Sequence, residues 1–168
     1  MKQAKNLMTK DVIYLHPEDT IFEAAKLFSQ LDIHGLPVVK DGKLIGMITV
    51  TDIIKFIDIK TDNIPEIKGA ALPDVILAIF RTMKSSENFE RELEKISNFK
   101  VEDIMSKEVI IVNQKTSFLE IARLMDKHNI HRVPVVSKNK LVGMITGVDL
   151  MKVLIKSSRR SKSSQLIH

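Results

Sequence analysis

The chain has no cysteine. Disulfides, thiolate zinc sites and a cysteine nucleophile are thereby excluded, which fits a cytosolic protein. Long apolar runs are missing too: none approaches the roughly 18 consecutive apolar residues that a membrane-spanning helix needs. The N-terminal stretch MKQAKNLMTKD contains no apolar signal-peptide region, so a cytoplasmic location and no membrane partner are expected. A general surplus of one charge sign is also absent. The net charge is +5 over 168 residues, and Lys156, Arg159, Arg160 and Lys162 account for most of it in a tail without acids. A nucleic-acid-binding face would therefore have to come from a nearly neutral body, and nucleic acid is not the expected partner. The basic, serine-rich tail, residues 156–168, reads as a flexible solvated end, with a nucleic-acid or anionic-surface role as the alternative.

Catalytic signatures are lacking as well. No GxSxG elbow, Walker A loop or glycine-rich dinucleotide fingerprint is present. Neither a Ser-His-Asp nor a paired-carboxylate arrangement can be argued from spacing. No catalytic residue is assigned and no enzyme is expected. His128 and His131 straddle a predicted helix end with no carboxylates spaced to join them, so no metal site is expected either.

What the chain does contain is a repeat. The segment from Leu7, LMTKDVIYLHPEDTIFEAAKLFSQLDIHGLPVVKDGKLIGMITVTDIIK, aligns without a gap on that from Ile104, IMSKEVIIVNQKTSFLEIARLMDKHNIHRVPVVSKNKLVGMITGVDLMK. The offset is about 97 positions, and about 20 of roughly 49 pairs are identical, too many for chance. Two copies of one supersecondary unit imply a pseudo-two-fold domain with binding sites in pairs.

Each copy reads as strand, helix, strand, strand, helix. Val12–Leu15 and Val109–Val112 are short runs rich in β-branched residues, which predict a buried strand. Thr20 with Glu23, and Ser117 with Glu120, have capping-box spacing at the start of a helix. Behind them Ala24, Leu27, Phe28 and Leu31 share one face, as do Ile121, Leu124, Met125 and His128. Ala25 and Leu27, with Val38 and Val39 and their mates in the second copy, are expected in the core. Leu36–Val39 and Leu44–Thr49 form a hairpin around Asp41-Gly42, with Lys138-Asn139 at the equivalent turn. The last helix runs from about Thr51 to Ile57, and in the second copy from about Val148 to Ile155.

The expected fold class is α/β (α+β): two βαββα repeats packed as a pseudo-two-fold pair, with a helical insert between them. The layout is repeat 1 at 1–57, insert at 58–100, repeat 2 at 101–155 and tail at 156–168. Helices are predicted within the insert at Leu72–Met83, which opens on Pro73, and at Ser86–Phe99, with its cap and early acids. The insert acts as a spacer between the repeats or as a partner surface built from Ile76, Leu77, Ile79 and Phe80.

The candidate site lies where the last strand of each copy meets the last helix, in Gly46-Met47-Ile48-Thr49-Val50-Thr51-Asp52 and Gly143-Met144-Ile145-Thr146-Gly147-Val148-Asp149. Threonine at a strand end and aspartate three positions later put a hydroxyl and a carboxylate at a helix N-terminus. Free amides there suit a phosphate, and the carboxylate suits the diol of a ribose. The same spacing is equally explained by capping and dipole complementation alone. A second constellation, Ile33-His34-Gly35 against Ile130-His131-Arg132, is a candidate phosphate clamp or an ordinary surface His-Arg pair.

The combined pattern of MTxxVI, TIFEAAKLF, IHxxPVV, GxIGMIT and TxxD resembles the CBS domain, a tandem pair of which forms a Bateman module. The likeness covers nearly all of residues 7–57 and 104–155. It implies a stand-alone regulatory module whose clefts accept AMP, ADP, ATP or S-adenosylmethionine and which signals to an unknown effector protein by changing shape. No obligatory cofactor is implied. Asp52 and Asp149 would hold ribose, and Thr49 and Thr146 would lie near ribose or phosphate. Asp19, Thr20, Ala24 and Ile33 would enclose one adenine, and Thr116, Ser117, Ile121 and Ile130 the other. His34 and the Ile130-His131-Arg132 turn would reach phosphates. If the arginine reaches across, the site of Asp52 is the better polyphosphate site, because the first copy has Gly35 where the second has Arg132. A homodimer is expected. The competing reading is a ligand-free structural or dimerisation module, and a third is nucleic-acid binding through the basic tail.

Overall fold

The computed structural model describes residues 2–61, 91 and 94–164. Its elements are α1 (Ile21–Leu31), β1 (Gly35–Lys40), β2 (Lys43–Thr49), α2 (Val50–Thr61), α3 (Val101–Ile104), β3 (Val112–Asn113), α4 (Phe118–Lys127), β4 (Arg132–Ser137), β5 (Lys140–Thr146) and α5 (Gly147–Ser164), after a 3-10 turn at Ala4–Asn6. The strand order is β1-β2-β5-β4-β3. The chain divides into two compact units, the first made of Met1–Tyr14, Val39–Ile45 and Glu108–His168, the second of Leu15–Val38 and Gly46–Lys107.

In the first unit β3 runs parallel to β4 and β4 antiparallel to β5, with an irregularity between Val135 and Val136. The hairpin tip of the first repeat belongs to this unit and meets β5 at Lys43↔Lys140. Its core is Ala4, Val112, Ile121, Met125, Val133, Val135, Ile145 and Leu150. Each of these side chains larger than alanine contributes about 1.5–3 kcal/mol by leaving water. Ala4 is there because the N-terminal segment docks on the second repeat. The Ala4 amide donates to the Thr116 carbonyl (2.8 Å), and Thr9 and Met144 exchange two backbone bonds of 2.9 Å. Gly143 makes that approach possible: a β-carbon there would lie 2.5 Å from Met8 Sδ.

The second unit repeats the arrangement. Leu15, Ala24, Val38 and Ile48 are buried in it. The opening segment of the second repeat docks on the first, with Met47 and Ser106 exchanging bonds of 2.9 and 2.8 Å. A β-carbon on Gly46 would lie 2.6 Å from Met105 Sδ. Phe99 packs edge-on against Phe56 of α2, their centroids 5.1 Å apart. Thus the opening residues of each repeat pack on the other repeat.

Helix α1 opens on the predicted capping box. Glu23 N donates to Thr20 Oγ1 (3.2 Å), and Thr20 N donates to Glu23 Oε2 (2.7 Å). At Ser117 the hydroxyl accepts from the Glu120 amide (3.3 Å), the hydroxyl half of the same motif. Both hairpin turns have left-handed residues, Asp41 and Gly42 in one and Lys138 and Asn139 in the other, as two-residue hairpins require.

Several expectations need correction. Val12–Leu15 is not a strand: only Leu15 bridges a neighbour, Val38, while Ile13 and Tyr14 are exposed. Without a ladder partner, β-branched composition does not make a strand. Likewise only Val112–Asn113 pairs where Val109–Val112 was expected. Leu31 ends α1 and is exposed, because Asp32 turns left-handed and stops the helix there. His128 is exposed beyond the end of α4. Ala25 is exposed since the buried stripe of α1 is Ile21, Ala24 and Phe28, one position off. Helix α2 begins at Val50, and α5 continues past Ile155 to Ser164. No glycine or proline interrupts that stretch, and lysine and arginine are good helix formers. The insert helix Leu72–Met83, with Ile76, Leu77, Ile79 and Phe80, lies outside the described residues. Within Ser86–Phe99, residues 94–97 are helical.

Candidate functional site

Each repeat closes its last strand with threonine and starts its last helix on the next residue. In the second unit Thr49 is the half-buried end of β2. Its amide and its hydroxyl both donate to Asp52 Oδ2 at 2.7 Å, and the Asp52 amide donates back to Thr49 Oγ1 at 3.2 Å. This is a reciprocal box at the N-terminus of α2, so the capping alternative is realised. It occupies one carboxylate oxygen. Among the described residues Oδ1 of Asp52 receives no bond and remains able to accept from a ligand hydroxyl.

The first unit holds the second copy. Thr146 N and Oγ1 donate to Asp149 Oδ2 at 2.9 and 2.7 Å. Here Oδ1 is engaged: Lys152, one turn on, donates to it at 3.2 Å. Partial burial pushes the Asp149 carboxyl up, but the Thr146 amide and hydroxyl and the Lys152 ammonium outweigh it and hold the group below the usual aspartate value. The Lys152 side chain is 64% exposed, so a ligand would displace it at a cost of at most about 1 kcal/mol.

The two sequence constellations come together inside each unit. The His34 carbonyl accepts from the Val50 amide (3.1 Å), and the His131 carbonyl accepts from the Gly147 amide (2.9 Å). Each Ile-His turn is thereby tied to the first residue of the helix that carries its aspartate. Ile33 and Ile130 are half-buried, and both histidines are exposed. Arg132 opens β4 directly opposite Thr146, and opposed residues of an antiparallel pair project from the same face. Burial lowers the Arg132 pKa, since its charge is partly removed from water. In the first copy a side chain would be crowded: a β-carbon at Gly35 would meet Thr49 Cγ2 and the Ile48 carbonyl, both at 3.1 Å, so those atoms would have to give way slightly.

The residues assigned to adenine stand apart from these. The Asp19 carbonyl accepts from the Val101 amide (2.7 Å) and its carboxylate from the His16 amide (2.7 Å). Thr20 is the cap of α1. Thr116 is 7% exposed, and its hydroxyl accepts from the Asn113 amide (3.1 Å). Ser117 caps α4. Ala24 and Ile121 are completely buried and act as core; they would touch a base only if the atoms above them moved. Among the described residues, no hydrogen bond joins this group to either Thr–Asp pair. A groove of about 330 Å³ lined by Ile21, Phe22, Ala25, Ile53, Ile57 and Ile96 contains none of the assigned ligand residues.

Sequence reasoning missed Lys152, although its spacing from Asp149 was the available signal, and the methionine–glycine contacts beside β2 and β5. Among the described residues no cluster of three or more histidines and carboxylates is placed to hold a metal. No helix among them is long and apolar enough to cross a membrane.

The CBS domain family model matches twice, at residues 4–59 and 101–156. Protein MJ1426 of Methanocaldococcus jannaschii is 35% identical over 153 residues, covering 90% of each chain. The inosine-5′-monophosphate dehydrogenase of that organism is 30% identical over 154 residues, and the chain spans 23% of its length. Among solved structures, the CBS domain pair of MJ0100 in complex with 5′-methylthioadenosine and S-adenosyl-L-methionine aligns with TM-score 0.62 and 24% identity, over 94% of this chain and 98% of that one. CBSX2 in complex with AMP aligns with TM-score 0.66 and 21% identity, over 93% and 98%. At these identities the likeness to the two structures is one of fold.

Proposed function

Because the chain belongs to the CBS-domain family, with one domain in each repeat, we propose that it is a regulatory module that binds adenosine-containing ligands non-covalently, one beside each Thr–Asp pair. The observation that carries this reading is the duplicated arrangement of Thr49 with Asp52 and Thr146 with Asp149. In each, a helix N-terminus offers amides to a phosphate while a carboxylate with one oxygen outside the capping box faces a sugar diol. Structures of the same fold hold AMP in one case and S-adenosylmethionine with 5′-methylthioadenosine in the other, and AMP, ADP, ATP or S-adenosylmethionine is the ligand class proposed here.

The two sites are unequal. Arg132 adds a fork of donors in register with Thr146, whereas Gly35 adds none beside Thr49. With Arg132 assigned to the site of its own repeat, in place of the reach across that would favour the site of Asp52, the phosphate-bearing ligand favours the site of Asp149, and the Gly35 side suits a ligand whose recognition is mainly of the nucleoside. His34 and His131, exposed on their turns, and the Asp19–Thr20 and Thr116–Ser117 turns complete the proposed ligand surroundings.

Binding shifts only an equilibrium between states for which the ligand has different affinities. The signal passes to an effector protein through such a shift in a cytoplasmic homodimer. Phe22 and Leu119, exposed at aligned positions in the first turns of α1 and α4, supply apolar contacts for that dimer. Calorimetric titration of ligand-free protein with AMP, ATP and S-adenosylmethionine tests the reading. Saturable heat with at least one is expected, and no heat with any of them defeats it.

A further inference from the structure

The two hairpin tips in the first unit carry a row of lysines. Both residues of the first turn, Asp41 and Gly42, have positive φ, between β1 ending at Lys40 and β2 beginning at Lys43. A two-residue turn of that kind sets its flanking residues opposite each other, so Lys40 faces Lys43. Lys43 is in turn opposite Lys140, and Lys140 opposite Ser137. Opposed residues of antiparallel strands project from one face. Lys40, Lys43 and Lys140 therefore stand side by side across β1, β2 and β5, with Ser137 of β4 at the end of the row. All three lysines are exposed, as is Lys138 in the second turn. Over residues 40–43 and 137–140, four lysines meet a single acid, Asp41. Among the described residues no ion pair engages Lys43, Lys138 or Lys140.

Like charges directly opposite one another destabilise a sheet. Lysines often keep sheet edges from pairing with other chains, but β2 and β5 are inner strands in the order β1-β2-β5-β4-β3. The row therefore fits an anionic occupant, and its setting chooses among four. A second copy would bring the same positive row in return, because an isologous contact sets a surface against itself. A bilayer would find no apolar anchor, since none of the large exposed apolar side chains among the described residues lies on β1, β2, β4 or β5. Nucleic acid is held with arginine forks and stacked aromatics, and the two turns have neither. Carboxylates of a protein need no such fork. Neighbouring strands lie about 4.7–4.9 Å apart, whereas alternate residues of an extended chain are about 6.6–6.8 Å apart. Residues three or four apart on a helix are roughly 5–6 Å apart, the closer match. We propose that the lysine row docks an acidic helix of a partner protein, whose carboxylates along one face meet Lys43 and Lys140 at the centre of the row. The proposal stands independently of what binds beside the Thr–Asp pairs.

The test is fluorescence anisotropy of labelled, alanine-based helical peptides titrated with the full chain at low salt. One peptide carries glutamate at i, i+4 and i+7 on one face, and another has the same composition with its glutamates spread around the helix. Tighter binding of the first, weakening as salt is raised, is expected. Lys43→Gln with Lys140→Gln should weaken it roughly threefold to tenfold. Lys43→Glu should abolish it and yet raise the Tm at low salt, because an attractive cross-strand pair replaces a repulsive one. Failure to bind the first peptide, or equal binding of both, would overturn the proposal. So would unchanged binding by the Lys43→Gln, Lys140→Gln variant, or a Tm lowered by Lys43→Glu. Tighter binding of single-stranded DNA or of phosphatidylglycerol vesicles through the same lysines would assign the row to phosphates and overturn it too.

Discussion

Replacing Asp52 separates the two tasks given to its carboxylate, provided two substitutions are compared. In Asp52→Ala the Thr49 amide and hydroxyl lose the oxygen that both reach at 2.7 Å. The pair is only half-buried, so water replaces part of the loss, and about 1–2 kcal/mol of stability should go, as for other lost caps. That corresponds to a fall in Tm of roughly 2–8 °C for a domain of this size. Asp52→Asn keeps an acceptor for Thr49 and should cost about half as much. Toward a ligand the two variants should behave alike, because each removes the charged acceptor of a ribose diol. The loss is about 1.5–3 kcal/mol, or tenfold to more than a hundredfold in affinity, at the first-repeat site only. Calorimetry gives the affinities, and melting with and without nucleotide gives an independent reading. A site filled at about 100 times its dissociation constant adds about 2.7 kcal/mol, and that increment should vanish for the altered site. If Asp52→Asn binds every ligand as the wild type does while Asp52→Ala merely melts earlier, the carboxylate is a cap and nothing more.

Gly143→Ala should destabilise by about 1–3 kcal/mol, since the new methyl would stand 2.5, 2.8 and 2.9 Å from Met8 Sδ, Cγ and Cβ, and rotating the thioether away does not clear the Cβ; a double-mutant cycle with Met8→Ala, read by denaturant unfolding, should show that cost largely abolished. Asp149 is held below the usual aspartate value, so its contribution to stability is present above the unfolded pKa of about 3.9 and disappears as pH falls through the lower folded one. The Tm gap between wild type and Asp149→Asn should accordingly be open at neutral pH and close on acidification through that window; a gap independent of pH would refute the assignment. Arg132→Gly should weaken ATP or AMP at the second-repeat site by tenfold or more and leave adenosine unchanged, as titration of each would reveal. Ile145→Ala, at a completely buried position, should cost about 2–5 kcal/mol in the same unfolding assay.

What was readable in the sequence was local. Thr20 and Glu23 cap α1 as their spacing requires, and Asp41-Gly42 turns the first hairpin because both residues tolerate the left-handed region. Lys138 also adopts it, with φ 49°, although lysine has no preference for that region; only alignment with Asp41 marked it. The Thr–Asp pairs and the Ile-His turns were found separately, but their union rests on the His34–Val50 and His131–Gly147 backbone bonds, which no side-chain pattern announces. The exchange of segments was not readable at all. Met8 opens one copy and Met105 the other, while Gly46 and Gly143 are equivalent. Either methionine therefore satisfies the local chemistry of either glycine. Choosing Gly143 for Met8 is a matter of chain path, which a repeat by its own symmetry conceals. Ala25 failed for a smaller reason: one position on a helix is 100° of rotation, enough to leave the core.

The capping and ligand readings of the Thr–Asp pair do not compete. A box that uses Oδ2 of Asp52 fixes the plane of the carboxylate, and a fixed plane sets the direction in which Oδ1 accepts. Such an acceptor loses little conformational freedom when a diol arrives, so more of the bond energy remains as affinity. The same rigidity ties the site to its surroundings. Thr49 is two residues from Met47, which exchanges bonds with Ser106 at the start of the second repeat; Thr146 is two residues from Met144, which exchanges bonds with Thr9 at the start of the first. A shift of either threonine on ligand binding therefore acts on a strand whose bridging partner belongs to the opening segment of the other repeat. Weakening one bridge without touching a site residue, as Gly46→Ala would by pressing on Met105 and the Ser106 carbonyl, should alter how strongly ligand at one site changes affinity at the other. Two-ligand calorimetry measures that coupling, and an unchanged coupling in a folded Gly46→Ala protein would exclude the bridge as its carrier.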